Sequence, residues 1–465
     1  MTRLLWALTA ATIAAALACG LYFTFATIGV RVPYWGEAEV LFDAQRLQAG
    51  LPIFVDPLVG AHEYGEPPSR WFVTYPPVWT AVLTLVPKSG MLLASRVVST
   101  LAWLGSLAWL AATARRESRV LAIACAAFVA GQWVLLNFAT TGRPDSIACA
   151  LAAFGLARAM RKGRIDLVSG ALLVLAPWVK PTLLGLPLGA FVFDAWARRD
   201  RRPIFAATAA TLAIGAVFWV TTSGAIFRHV IASNGQPMSW SWWTEQLPPR
   251  ILFFAPLFAL AAWNAWRDRR ANAIGLGALA ASCVWVVFAL AKIGSSSNYW
   301  MEPCVAAVAL VARAEPGAFR FGESRAWHAA AALAAVLWAD VAAIDGSLRH
   351  AKDYRDDAAF VVHVRSICGK GVVYADEPGV ELVLDGRIMM PAFQTVRAMA
   401  AGKLASAPFY SDLADSRVAC VVEHSNDYEP SRGVMQAIDA SFVTRLEERG
   451  FRVLVRREVT PRTGS

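Results

Sequence analysis

The 465-residue sequence has little charge and little metal chemistry. Only 17% of its residues are charged, against about a quarter in a typical soluble domain. Seven Cys occur without any CxxC pair, and six His are scattered without HxxxH spacing, which argues against a zinc site. No internal repeat and no low-complexity tract is found. A transporter built from repeated halves lacks support for the same reason, and no matching pair of Gly/Pro-broken spans occurs. What the chain has is apolar: 57% hydrophobic residues, 19 Trp and a mean hydropathy of +0.45. The apolar residues recur in blocks near membrane length, the pattern of a polytopic membrane protein.

The net charge of +10 does not indicate nucleic acid, because the basic residues cluster between apolar blocks. Arg115, Arg116 and Arg119 form one cluster, Arg161, Lys162 and Arg164 another. Arg198 to Arg202, Arg267 to Arg270, and Arg313 with Arg320 and Arg325 follow. This is a positive-inside pattern. Taking each cluster as cytoplasmic predicts 11 spans: 4–28, 91–113, 120–138, 146–160, 165–179, 182–197, 204–222, 249–265, 272–291, 299–312 and 326–344. The N-terminus is then inside and the first outer loop runs over 29–90. The first span is too long, and lacks a clean cleavage site, for a signal peptide. The segment 71–87 contains Pro76-Pro77 and is short for a crossing, so it reads as dipping into the outer leaflet.

Residues 1–344 therefore form a transmembrane domain. Residues 345–465 turn polar and turn-rich, and Val372 to Ala375, Val418 to Glu423 and Phe451 to Val455 read as strands of a small extracytoplasmic α/β domain. Cys368 and Cys420 lie in this part and can pair if it faces an oxidising compartment.

Unusual polar residues gather on the expected outer face. Glu37, Glu39 and Asp43 place three carboxylates within seven residues, directly after the first span. On a helix over 37–49, Glu39 and Asp43 share a face and Glu37 lies on another. Leu41, Ala44 and Leu47 form an apolar stripe, which suggests a helix lying along the membrane surface with its acids solvated. Arg143-Pro144-Asp145 forms a second outer loop, for which a turn and helix start is the plain alternative. Lys180 stands at an apolar hairpin tip, where it either snorkels or meets an anion such as a phosphate. Arg96 opens its span and suits either an ion pair or the same anion. Asn298, Tyr299 and Glu302 belong to the outer stretch "GSSSNYWMEP", and Trp240, Trp242 and Trp243 to a longer loop.

The order of these motifs resembles the GT-C membrane glycosyltransferases, in particular bacterial relatives of protein O-mannosyltransferases and lipid A aminoarabinose transferases. "GEAEVLFDAQRLQAG" is followed by "TYPPVWTAVL", then "ASRVVSTLAWL", "RPDSIACALAAFGLA", "KPT" and the Asn-Tyr-x-x-Glu loop. The resemblance implies an all-α membrane bundle with a C-terminal α/β domain, located in the cytoplasmic membrane. It implies inverting transfer of a sugar from a polyprenyl-phosphate donor to a glycan, lipid or protein acceptor. An acid of the first loop would act as base and a cation would stabilise the leaving phosphate. Catalytic candidates are Glu37, Glu39 and Asp145. Substrate-binding candidates are Arg96, Arg143, Lys180, Asn298, Tyr299 and Glu302. Where the family shows Asp-Glu, this chain has Gly36-Glu37, which makes Glu37 the first choice of base and Glu39 the second. Thr74 and Tyr75 replace the acid and Lys that often precede the PP motif. No cofactor is required by these residues, and a dependence on a divalent metal stays open. The alternative is a non-catalytic envelope protein of the same fold that binds a glycan or protein partner.

Overall fold

The computed structural model describes residues 2–34, 36–54, 73–267, 269–313, 326–389, 392–403, 406–414, 417–424 and 427–457. Residues 71–72 of the expected dipping segment and the basic residues Arg320 and Arg325 lie outside them. The helices run in the order α1 (Thr2–Ile28), α2 (Gly36–Gln48), α3 (Pro77–Leu83), α4 (Lys88–Ala112), α5 (Arg119–Gly131), α6 (Trp133–Ala139), α7 (Asp145–Lys162), α8 (Leu167–Val179), α9 (Gly185–Arg198) and α10 (Arg202–Thr222). They continue with α11 (Ala225–Asn234), α12 (Trp240–Arg267), α13 (Ala273–Ala289), α14 (Met301–Ala312) and α15 (Ala326–Cys368). The chain then alternates β1 (Val372–Ala375), α16 (Pro378–Asp385), α17 (Ala392–Ala400), α18 (Ala407–Ala414), β2 (Val418–Glu423), α19 (Arg432–Ser441), β3 (Phe442–Glu448) and β4 (Phe451–Arg456).

Among the described residues, four helices are long and apolar enough to cross a membrane alone: Trp6–Ile28, Lys88–Ala112, Arg202–Thr222 and Trp240–Trp263. Helix α10 buries none of its residues in the protein, and Phe205, Leu212, Val217 and Val220 point outward. A helix apolar all round yet unburied needs an apolar solvent, so the chain is a multi-pass membrane protein. The expected span 120–138 is not straight. Helices α5 and α6 are bent by 72° at Gln132. The bend follows a close crossing at Gly131, where a Cβ would meet the backbone nitrogen of Leu17 at 2.9 Å. Among its described residues, 73–87, the segment 71–87 contains the seven-residue α3, which starts at Pro77 as a helix N-terminus favours. The expected last span does not stop at residue 344; α15 is 43 residues long and runs on to Cys368.

The polar C-terminal part is built on a four-stranded sheet in the order β1-β2-β4-β3. The β1–β2 pair is parallel, and the β2–β4 and β3–β4 pairs are antiparallel. A disulfide joins Cys368, at the end of α15, to Cys420 on β2, with Cα atoms 5.5 Å apart. Buried clusters flank the sheet, one around Tyr374, Val421 and Leu454, the other around Val364, Val373 and Val453.

Helix α2 does not lie on a surface with solvated acids. Ala38 and Phe42 pack with Ile388 and Leu382 of the α/β domain, while Leu41 and Ala44 face the bundle core. Arg46 in its last turn donates to the Pro52 carbonyl, and Gly50 at φ +74° reverses the chain. Glu37, Glu39 and Asp43 are all buried. The helix is thus a buried strut between bundle and domain.

Candidate active site

Between the bundle end and the α/β domain lies a cavity of about 310 Å³. Every layer contributes to it: Glu39 from α2, Thr74 and Tyr75 before α3, Arg143 before α7, Lys180 after α8. Lys292, Asn298 and Tyr299 come from the loop after α13, and Glu377 and Gln394 from the domain.

Glu37 is not part of the cavity lining. It is fully buried, and Arg96 grips its carboxylate with Nε at 2.8 Å and Nη2 at 2.7 Å. The backbone N–H groups of Gly142 and Tyr34 donate to it as well, at 2.6 and 3.1 Å. Arg96 also donates to the Thr27 and Val32 carbonyls, at 2.8 and 2.9 Å. The pair closes the end of α1 onto α4 and the 142 loop. With its lone pairs occupied, Glu37 has no room for a substrate hydroxyl.

Glu39 does reach the cavity. Thr74 Oγ1 donates to one carboxylate oxygen at 2.8 Å, and Gln394 Nε2 donates to the other at 3.3 Å. Its residual exposure is 9%. Burial raises its pKa above the ordinary glutamate range, opposed by the Thr74 hydrogen bond and the nearby Arg143 charge. A carboxylate so placed is a stronger base than one in water.

Asp145 stands one layer behind the wall. Lys180 donates to it, Asn298 Nδ2 donates at 2.8 Å, and Arg143 Nε lies 3.3 Å from its other oxygen. Its role here is to hold two cavity cations in place. Arg143 also donates to the Tyr75 hydroxyl at 3.0 Å, and Lys180 Nζ lies 5.5 Å from the Tyr75 ring centre. Glu302 lies outside the lining and accepts from the Leu186 backbone N–H, near the N-terminus of α9. Tyr299 lines the cavity beside Asn298.

Gly36, where the sequence pattern led us to expect an acid, does line the cavity. A Cβ there would sit 2.9 Å from the Tyr75 hydroxyl. The phenol therefore fills the space a side chain at 36 would take. Tyr75, Lys292 and Gln394 were not among the sequence candidates. Tyr75 stood out only as a departure from pattern, and Gln394 lies 355 positions from Glu39.

Beside the cavity runs an apolar groove of about 510 Å³ between α8, α9, α10 and α11, lined by Trp178, Leu184, Leu212 and Phe227. Pro76 and Pro181 line it too, while their chain neighbours Tyr75, Lys180 and Thr182 line the cavity. Among the described residues, no group of three or more His, Cys, Asp and Glu has metal-holding geometry.

The helical membrane bundle, with the four-stranded sheet and its helices over the cavity, has a GT-C fold. The particular likeness is to ArnT from Cupriavidus metallidurans. Its apo crystal structure superimposes with a TM-score of 0.59 at 14% identity, covering 94% of this chain and 96% of that one. The crystal structure of the same protein bound to undecaprenyl phosphate gives 0.54 at 14% identity, over 97% and 98%. At this identity the likeness is one of fold. No family model and no curated protein matches the sequence.

Proposed function

We propose that the protein is a membrane glycosyltransferase that moves a sugar from a polyprenyl-phosphate carrier to an envelope acceptor, at the end of the bundle that carries the α/β domain. The observation that carries this reading is the juxtaposition in one cavity of a buried carboxylate, Glu39, with the cations Arg143 and Lys180, next to an apolar groove. The groove suits an isoprenoid tail, and the cations suit the phosphate at its head. That ArnT, a protein of similar fold, has been solved bound to undecaprenyl phosphate supports this reading.

In the reaction, an acceptor hydroxyl attacks the anomeric carbon. Glu39 takes the hydroxyl proton as the new C–O bond forms. The bond between the anomeric carbon and the phosphate oxygen breaks, and the polyprenyl phosphate leaves with the electron pair. Arg143 and Lys180 stabilise the charge that gathers on it. Attack opposite the leaving group inverts the anomeric centre. The disulfide supports an extracytoplasmic α/β domain, because such bonds persist in oxidising compartments.

Comparing envelope glycans and lipids by mass spectrometry in cells with and without the protein tests the reading. A glycosyl mass increment on an envelope component that requires the protein is expected. Identical profiles contradict it.

A further inference from the structure

Among the described residues three cations line the cavity, and two are already engaged: Arg143 and Lys180 both pair with Asp145. Lys292 is different. Among the described residues no carboxylate pairs with it, and its ammonium makes no hydrogen bond. It is partly buried, and that burial lowers its pKa, with no neighbouring charge acting on it.

Its loop is nonetheless firmly held. The Ile293 N–H donates to the Pro237 carbonyl at 3.0 Å, and the Ser239 N–H donates to the Ala291 carbonyl at 2.7 Å. Met238 and Lys292 form an antiparallel bridge. Gly294 turns the chain at φ +82° and lies directly under the Phe393 ring of α17, where any side chain would collide. Phe393 is itself backed by Arg397, whose guanidinium lies 3.9 Å from the ring centre. The α/β domain therefore presses on the loop that carries Lys292, and the next residue of α17, Gln394, bonds the base. A lysine on a held loop that lines the cavity without an ion-pair partner is suited to meet an anion there.

We infer that Lys292 binds the phosphate of the polyprenyl carrier directly, and that Phe393 positions it by seating the 292–296 loop. The inference rests on the proposed donor. It makes the α/β domain a working part of the site: through Phe393 and Gln394 one helix of that domain sets both the phosphate-binding cation and the base. Arg143 and Lys180, already neutralised in part by Asp145, then contribute less to phosphate affinity than Lys292.

Binding of a polyprenyl phosphate and of the matching polyprenol to the full chain in nanodiscs tests this. The variants are Lys292→Ala, Lys292→Arg, Phe393→Ala and the double Lys292→Ala/Phe393→Ala. The wild type is expected to prefer the phosphate. Lys292→Ala is expected to weaken phosphate binding about tenfold or more, as loss of a charge-assisted hydrogen bond does, and to leave polyprenol binding unchanged. Lys292→Arg retains most of the affinity. Phe393→Ala weakens the phosphate but adds nothing in the Lys292→Ala background, the mark of two residues acting through one contact. A wild type that prefers the phosphate while Lys292→Ala binds it equally well overturns the inference. So does a parallel loss of the alcohol in the Lys292 variants. A wild type that does not distinguish phosphate from alcohol contradicts the donor reading itself.

Discussion

At the residue scale, two neighbouring acids of one helix have opposite fates. Glu37 and Glu39 are two positions apart, so they point to different faces of α2. One face turns toward α4 and meets Arg96; the other turns toward the cavity and meets Thr74 and Gln394. The first choice from sequence was Glu37, and nothing local shows its burial, because the partner that occupies it is 59 residues away. The two acids predict different phenotypes. Removing the cation in Arg96→Met leaves a buried carboxylate unpaired and should lower stability by about 3–5 kcal/mol. Thermal unfolding in detergent measures this, and an unchanged midpoint contradicts the structural role. Glu39→Gln should leave stability nearly intact and lower transfer by about 10²–10⁴-fold. The base must be ionised to act, and its pKa lies above the ordinary glutamate range. Wild-type kcat/KM should therefore fall as pH drops through that raised value, earlier than for an exposed glutamate. The Gln variant should lack this acid limb in its residual activity.

At the element scale, helices were the legible part. Apolar blocks separated by basic turns mark most of them, and the apolar stripe of Leu41, Ala44 and Leu47 marks α2, expected over 37–49 and observed over Gly36–Gln48. The 72° break between α5 and α6 was not legible, since it arises where Gly131 meets α1. Strands β1, β2 and β4 announce themselves as short apolar runs. Strand β3, "FVTRLEE", escapes because most of its residues are exposed and it follows α19 without a loop. The Cys368–Cys420 bond joins the end of α15 to β2 across 52 positions. Closing a loop of that length stabilises by about 4 kcal/mol in the chain-entropy estimate. Cys368→Ala/Cys420→Ala should therefore loosen the α/β domain, seen as faster proteolysis or hydrogen exchange within 370–457. Because α17 of that domain contacts both Glu39 and the 292–296 loop, the same variant should lose transfer activity in parallel. Protection and activity both at wild-type level contradict this coupling.

At the scale of the whole molecule, the cavity exists only where distant segments converge. Gly36, Glu39, Thr74, Tyr75, Arg143, Lys180, Lys292, Asn298, Tyr299, Glu377 and Gln394 come together at one end of the bundle. The sequence placed many polar residues at that end through the positive-inside rule, and this much of the site was legible. Which of them line the cavity and which brace it was not, because that depends on pairings across more than a hundred residues: Asp145 with Asn298, Glu302 with the N–H of Leu186, Gln394 with Glu39. Under the proposed reading a lipid-phosphate donor occupies the cavity, whose lining joins the carboxylate of Glu39 to the cations Arg143, Lys180 and Lys292. The most direct measurement is envelope glycan and lipid mass spectrometry on cells lacking the protein and complemented with wild type or Glu39→Gln. The account predicts a glycosyl increment restored by wild type and absent with Glu39→Gln at equal protein level. Full restoration by Glu39→Gln, or no increment with wild type, contradicts it.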